Sequence, residues 1–476
     1  MKTLYLIPVL LSLFLIPSPQ TGTKSLVLKH VTVVDVTADQ RLKALKVDQA
    51  VVITGNQITA IGQADKIRVP QGAQIVDAGG RYLIPGLWDM HVHSLVEGRP
   101  DYFFPLFIAN GVTGVRDMGG SLPFERIRQI RNDLNSGKLI GPRLGAVAGK
   151  ILDGPGTQLN VGMSVTNTNQ ARQIVRSFKQ SGADFIKVYD RLSRDVYLAI
   201  VDEARKEKIP VAGHVPFESS AAEVSDEGQK SIEHAMDIFI SASVDEKRLR
   251  EDLRRGNSTE INAPRMQVEL KAVSAYDEKR SKSLFARFAS NNTWQCPTLI
   301  VRRSSSHGNN ERLAADPRMK YIPKSTRNSW DQMFRQRFAS GTVEQRLLRF
   351  QTFLLVVGAM QRANVQILAG TDILNPYVFP GFSLHEELAL LVDAGLTPMQ
   401  ALRTATSNPA KFLGMSDEAG TIEKGKLADL ILLDANPLDD IRNTQRIYGV
   451  VANGRYFPSQ ELKALLAQAE ANASKQ

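Results

Sequence analysis

Four of the seven histidines fall where short apolar segments end: His91 and His93 in LWDMHVH, His214 in PVAGHV and His234 in SIEHAM. Asp372 closes QILAGTD, and Lys187 sits in the middle of FIKVYD. On a strand, the H-x-H pair would point both imidazoles to one face. Imidazoles with a carboxylate suit Zn²⁺ and similar divalent ions. Four histidines and an aspartate exceed what one catalytic zinc needs, since it must keep a position open for water. Two neighbouring metals would use them all, provided that an anion bridges the pair. Taken singly, each residue is a weak signal, because a lone histidine in an apolar segment is usually hydrogen-bonded core and Thr-Asp after a strand is usually a helix cap. The joint placement carries the reading.

Lys187 poses a separate question. In GADFIKVYD, Phe185, Lys187 and Tyr189 share one face of the expected strand, with Ile186 and Val188 on the other. An ammonium is costly to desolvate and is rarely left unpaired in a core. Burial favours its neutral amine.

These residues need a scaffold that gathers strand ends. LWDMHVH, GVTGVRDM, RLGAVAGK, FIKVYD, PVAGHV, SIEHAM, WQCPTLI and QILAGTD make eight candidate strands, most of them separated by amphipathic helical sequence. Eight βα units predict an α/β protein, a (β/α)₈ TIM barrel with its site at the strand C-terminal ends. The chain ends have a different texture. SLVLKHVTVVD, AVVITGNQITAIG and AQIVDAGGRYLIPG near the start, with GTIEKGKLADLILLDANP and RIYGVVANGRYF near the end, are β-rich with glycine turns. They predict a small β-sandwich domain built from both chain ends, residues 23–84 and 414–460, around a barrel at 85–413. A helix or tail follows at 461–476. Helical insertions are expected at 238–290 and 302–350. The second carries Trp330, Phe334 and Phe338 at helical spacing, and two readings stand for it: a lid or substrate wall over the barrel mouth, or a solvated decoration.

The 476 residues, 43% hydrophobic and 23% charged, suit one large domain with a smaller one. The net charge of +10 comes without a nucleic-acid motif or a dense Lys/Arg run, so a basic surface and no nucleic-acid partner are expected. MKTLYLIPVLLSLFLIPSPQTG has the layout of a secretory signal peptide over 1–22, with a mature start between residues 20 and 25. Its apolar run is short for a bilayer span, which predicts a periplasmic or secreted protein with no stable membrane span once mature. An uncleaved anchor is the alternative. The single cysteine, Cys296, excludes an intramolecular disulfide and reads as packed core.

IPGLWDMHVHS, FIKVYD, GHV, SIEHAM and LAGTD, followed by TSNPAKFLGMSDEAGTIEKGKLADLILLD, resemble the amidohydrolase superfamily. The resemblance is closest to the branch with imidazolonepropionase-like proteins and secreted Xaa-Pro-dipeptidase-like enzymes. It implies two divalent metal ions, most simply Zn, and a CO₂-derived carbamate on Lys187 as their bridge. It also implies His91, His93 and Asp372 on the more buried metal and His214 and His234 on the more exposed one. The implied reaction is hydrolysis of a C–N bond, amide or peptide-like, by a metal-bridging hydroxide, with Asp372 as general acid and base. Asp89 and Asp117 would support the ligands.

The motifs also depart from the dipeptidase-like pattern. No Gly-Gly-His loop follows the third strand and no Thr-Gly-Gly follows Lys187, where the chain reads AGKILDGPGTQ and KVYDRLS. Dipeptide specificity is therefore not implied. Tyr189, His385 and Arg302 are the candidates for substrate contacts, each with a packing role as the alternative. Arg302 and Arg303 could not both face the site if strand seven continued through them. The same metal machinery would serve a lactone, carbamate or phosphotriester, and a non-catalytic metal-containing binding protein is the reading from another class. The expected partner is a small-molecule substrate, and homo-oligomerisation is left open.

Overall fold

Short apolar runs bounded by polar caps become strands, and the amphipathic stretches between them become helices capped by their own side chains. Asn167 accepts from the Gln170 amide to start helix Thr168–Ser181, which ends on Gly182 at φ 101°. Ser193 does the same for helix Arg194–Lys206. The computed structural model describes residues 25–475, apart from 41–42, 97, 158, 256–262, 307–312 and 339–340. The expected signal peptide and His307 thus lie outside the described residues.

Seven parallel barrel strands follow in chain order: Leu87–Val92, Val112–Asp117, Arg143–Val147, Ile186–Val188, Val211–Gly213, Ser231–Glu233 and Trp294–Cys296. The third and fourth are linked by Asp184, whose carboxylate accepts from the Val147 amide while its own amide donates to the Val147 carbonyl. A short extra strand, Ile151–Asp153, also pairs with the fourth.

The expected eighth strand, QILAGTD, is irregular. It touches strand seven by one bridge, Gln295 to Ile367, and closes the barrel against strand one through the Met90 amide to the Ala369 carbonyl and the Asp372 amide to the His91 carbonyl. Gly370 explains the departure. A Cβ there would meet Cys296 Sγ at 2.5 Å and His91 Cβ at 2.8 Å, so the segment lies too close to its neighbours for any side chain.

The barrel interior is filled in layers. Trp88, Met90, Trp294, Cys296, Leu368 and Phe412 form one cluster, and Met118, Ala146, Ala148, Phe185 and Ala212 another. Phe185 therefore points inward, as its place two residues before Lys187 requires.

Both chain ends meet in an eight-stranded sheet. Its order runs Arg455–Pro458, Ile447–Ala452, Leu430–Leu433, Tyr82–Pro85, Ser25–Val34, Leu45–Thr54 and Gln57–Gln63, with Gln74–Asp77 also pairing with Ser25–Val34. Helix Ser459–Ser474 packs beside helix Pro100–Ala109 of the barrel. Helices Ile238–Ser241, Glu246–Arg255, Ala263–Ser274 and Glu278–Ser290 separate strands six and seven, and Leu299–Ser304, Lys324–Phe338 and Val343–Arg362 follow strand seven. Trp330 and Phe334 bury against Tyr377 and Phe379, in the segment that follows Asp372. The side chain of Phe338 lies outside the described residues. Among the described residues no helix is long and apolar enough to cross a membrane.

Candidate metal centre

His91 and His93 leave strand one, Lys187 occupies the middle of strand four, His214 and His234 follow strands five and six, and Asp372 ends the eighth segment. All six are buried but His93, which is half-buried. The ligating atoms of His91, His93 and Asp372 lie within 4.8 Å of one another. Asp372 Oδ1 is 3.5 Å from His91 Nε2 and 3.3 Å from His93 Nε2. Ring centroids are 4.7 Å apart for His91 and His234 and 4.8 Å apart for His214 and His234. The fold therefore gathers all four histidines around Asp372 at the strand ends.

Every one of these imidazoles has its Nδ1 engaged by the protein. His91 Nδ1 is 2.7 Å from Glu233 Oε2, His93 Nδ1 is 2.7 Å from the Gly119 carbonyl, His214 Nδ1 is 3.1 Å from Asp190 Oδ1, and His234 Nδ1 is 2.7 Å from Thr298 Oγ1. A carbonyl or an ionised carboxylate only accepts, so in the first three rings Nδ1 donates and Nε2 keeps its lone pair for a metal. His91 Nε2 and Lys187 Nζ are fully buried without a hydrogen-bond partner. Buried polar atoms without partners are rare in native proteins.

The protonation states of Asp372 and of three of the four imidazoles fit a metal as well. Burial pushes His91 down to about 4, and burial with the Lys187 charge holds His214 well below the ordinary range. His234 is also driven well down by burial, against the pull of Asp372. Burial works against the charged form of His93 too, but Asp372 beside it outweighs this and raises it. Burial would raise Asp372, yet His91 and His234 hold it well below the usual carboxylate range. Neutral imidazoles and an ionised carboxylate are what a divalent ion binds. Burial lowers Lys187 to about 8, with Glu233 and Asp372 acting against that shift.

Sequence reasoning missed most of the residues that orient these ligands. Arg116, on strand two, donates Nη2 to both Glu233 oxygens at 3.0 and 2.9 Å and Nε to the Met90 carbonyl at 2.6 Å. His91, Glu233 and Cys296 also form a metal-sized group. Glu233 is already held by Arg116 and Ser231, and burial keeps the Cys296 thiol protonated, so this group supports His91 and does not ligate. Asp89 accepts from the His91 and Thr371 amides and from the Thr371 hydroxyl. Asp117 accepts from the Ser94, Leu95 and Gly119 amides. Both aspartates thus have the supporting place expected of them.

Left-handed backbone clusters here. His234 (φ 62°), Thr298 (φ 46°) and Asp372 (φ 58°) are not glycines, yet adopt a conformation that disfavours any Cβ. Such strain concentrates at functional sites.

The substrate candidates fare unequally. Tyr189 stacks on His214 with centroids 3.9 Å apart and is half-buried, at the edge of the cluster. His385 is corrected. Its Nδ1 is 3.0 Å from Thr444 Oγ1 and its Nε2 3.0 Å from the Asn110 carbonyl, so it joins the barrel to the C-terminal segment and faces away from substrate. Helix Phe382–Asp393 docks that face on Ile441–Gln445. Arg302 donates Nη2 to the His234 carbonyl at 3.0 Å, and its guanidinium lies over Phe353. Strand seven ends at Cys296 and Arg302 and Arg303 are helical, so they diverge, Arg303 binding Glu386 at 2.8 Å.

Comparison with known proteins bears on this centre. Residues 351–456 match the model described as the Amidohydrolase family. Over that stretch the chain is similar to the amidohydrolase family. Among curated relatives, it is 40% identical over 85 residues to an imidazolonepropionase of Pseudomonas savastanoi pv. phaseolicola, covering 18% of this chain and 21% of that one. It is 36% identical over 83 residues to an ochratoxinase of Aspergillus niger, covering 17% and 16%. The matches thus span about a fifth of the length of these relatives. Solved structures agree over far more of the chain. A Xaa-Pro dipeptidase with bound methionine aligns with TM-score 0.66 at 22% identity, over 91% of this chain and 100% of that one. A bottromycin amidohydrolase aligns with TM-score 0.72 at 23% identity, over 94% and 90%. At those identities the likeness concerns the fold, a TIM barrel with a β-rich domain.

Proposed function

We propose that the protein is an exported, metal-dependent hydrolase of C–N bonds, amide or peptide-like, with a two-metal centre. The observation that carries this reading is the set of imidazoles with Nδ1 engaged by the protein, gathered with Asp372 around a buried lysine whose amine has no partner. His91, His93 and Asp372 would hold the inner ion and His214 and His234 the outer one, with Lys187 as a carbamate between them. When bound, the ions would lower the pKa of a water and polarise the scissile carbonyl.

The chain's residues do the rest. Asp372, held ionised, takes the proton of the attacking water and delivers it to the leaving nitrogen as the C–N bond breaks. Tyr189, stacked on His214, is positioned at the rim to contact the substrate. The amidohydrolase family match and the names of the relatives, which include an imidazolonepropionase and an ochratoxinase, support a C–N bond as the target.

Metal analysis of the purified full chain and its Lys187→Ala variant, with a hydrolysis panel of cyclic amides, N-acyl amino acids, dipeptides, lactones and phosphotriesters, tests the reading. The expected result is two ions per chain and amide turnover, both lost on substitution. Full activity and two ions in Lys187→Ala would refute the bridge. A tight metal complement without turnover would favour a binding protein, and turnover confined to lactones or phosphotriesters would refute the C–N assignment. Appearance of a processed N-terminus between residues 20 and 25 in an exported fraction tests the leader.

A further inference from the structure

Arg265 lies on inserted helix Ala263–Ser274 and is only 4% exposed. Its Nη2 donates to the Val215 carbonyl at 2.7 Å and to Asp190 Oδ1 at 3.3 Å, and its guanidinium lies over Phe217. Asp190 is the carboxylate behind His214, and Val215 is the next residue along the chain. One guanidinium therefore grips a single ligand from two sides. Arg302, on the short helix after strand seven, holds the carbonyl of His234 at 3.0 Å, while Thr298 at the start of that helix engages the His234 ring.

The two arginines share an anchorage. Glu269, one turn beyond Arg265, is buried and pairs with Arg349 of helix Val343–Arg362, Nε to Oε2 at 3.0 Å. The guanidiniums of Arg302 and Arg349 both lie over the ring of Phe353 of that helix, at 4.8 and 5.0 Å. Burial would raise Glu269, and Arg349, Arg302 and Arg265 around it more than offset that.

Stability is a poor reason for Arg265 to be there. Its Nε and Nη1 are buried without a partner. A buried guanidinium with two unsatisfied groups is expensive, and a well-packed apolar replacement of the whole Arg265–Asp190 pair is often as stable.

Resting on the two-metal reading above, we infer that the inserted helices hold the outer ligands His214 and His234 through Arg265 and Arg302, and so set the affinity of the second metal ion. Both are positioning residues. The insertions then act as the outer half of the metal centre's frame, a role beyond either lid or decoration.

Zn²⁺ titration of the chelator-stripped full chain by calorimetry, with circular dichroism melts run alongside, tests this. The wild type is expected to take up two ions. Arg265→Met should keep the tighter ion unchanged and weaken the second by about 10- to 100-fold in a chain that still folds, with a lower melt because Asp190 stays buried without its cation. Arg265→Lys should recover part of that loss, and Arg302→Met should weaken the same ion by itself. Wild-type affinity for both ions in folded Arg265→Met and Arg302→Met would overturn the proposal, as would equal weakening of both ions. Uptake of one ion by the wild type would remove the two-metal reading and this proposal together, which separates the two failures.

Discussion

Two of the four imidazoles show how differently one centre can be built. His91 is backed by Glu233 and Arg116, both on barrel strands, in a buried chain of hydrogen bonds that also ties Ser231 and the Met90 carbonyl. His214 is backed by Asp190 and Arg265, and here the arginine comes from an inserted helix, bonded more loosely to its carboxylate. The order is the same, arginine to carboxylate to imidazole. The inner chain is inseparable from the barrel and the outer one is grafted on. The inner side should therefore fail together with the fold, while the outer side should lose its metal before it loses the fold.

The largest effect tests that contrast directly. Arg116→Met strips Glu233 of its cation and leaves a buried carboxylate with His91 and Ser231 only. We expect a loss of about 3–5 kcal/mol in folding stability, read by denaturant unfolding. The outer counterpart, Arg265→Met, also strips a buried carboxylate, Asp190, but of one longer contact at 3.3 Å, and should lose less. Equal stability losses in the two variants would erase the distinction.

A smaller effect comes from His385, at the junction of barrel and C-terminal segment. Burial depresses it to about 4, against 6.5 for the unfolded chain. Between those values the unfolded state binds more protons, so this contribution is complete above pH 6.5 and is lost as pH falls toward 4. It amounts to about 3 kcal/mol at full size. Unfolding followed between pH 7 and 4 should show a steeper decline in the wild type than in His385→Gln, which cannot charge. Parallel curves would mean that another group governs the acid limb.

The smallest concerns Tyr189. Phenylalanine keeps the stack on His214 and removes the hydroxyl. If that hydroxyl meets the substrate, Tyr189→Phe should lower kcat/KM by less than about tenfold, roughly 1.4 kcal/mol, with both ions retained. Unchanged kinetics would make the tyrosine a packing residue.

The ligands were legible in the sequence because each breaks a local rule. A histidine or lysine at the end or middle of an apolar run is conspicuous, and the barrel places such ends together. The same anomaly marked Arg116 in GVTGVRDM and Glu233 in SIEHAM, charges within apolar segments, and it could have revealed the inner chain. Arg265 left no such sign. It sits in an ordinary charged helix, and only the path of the insertion brings it to Asp190. His385 misled for a related reason. Its place at the start of the helix after strand eight suggests the barrel mouth, but that helix turns the ring toward Thr444, a contact across distant sequence. The eighth strand was placed correctly as a segment, though its regularity was not. Periodicity says nothing of how closely Gly370 must pass His91.

The left-handed residues at the strand ends have a consequence for how this protein would respond to selection. His234, Thr298 and Asp372 each hold a backbone shape that costs of order 1–3 kcal/mol and that glycine would adopt freely. Heat tolerance and chemistry therefore pull these positions in opposite directions. A lineage selected for robustness alone would drift toward glycine there and lose its histidine and its aspartate, while one kept for turnover must find its robustness elsewhere in the molecule.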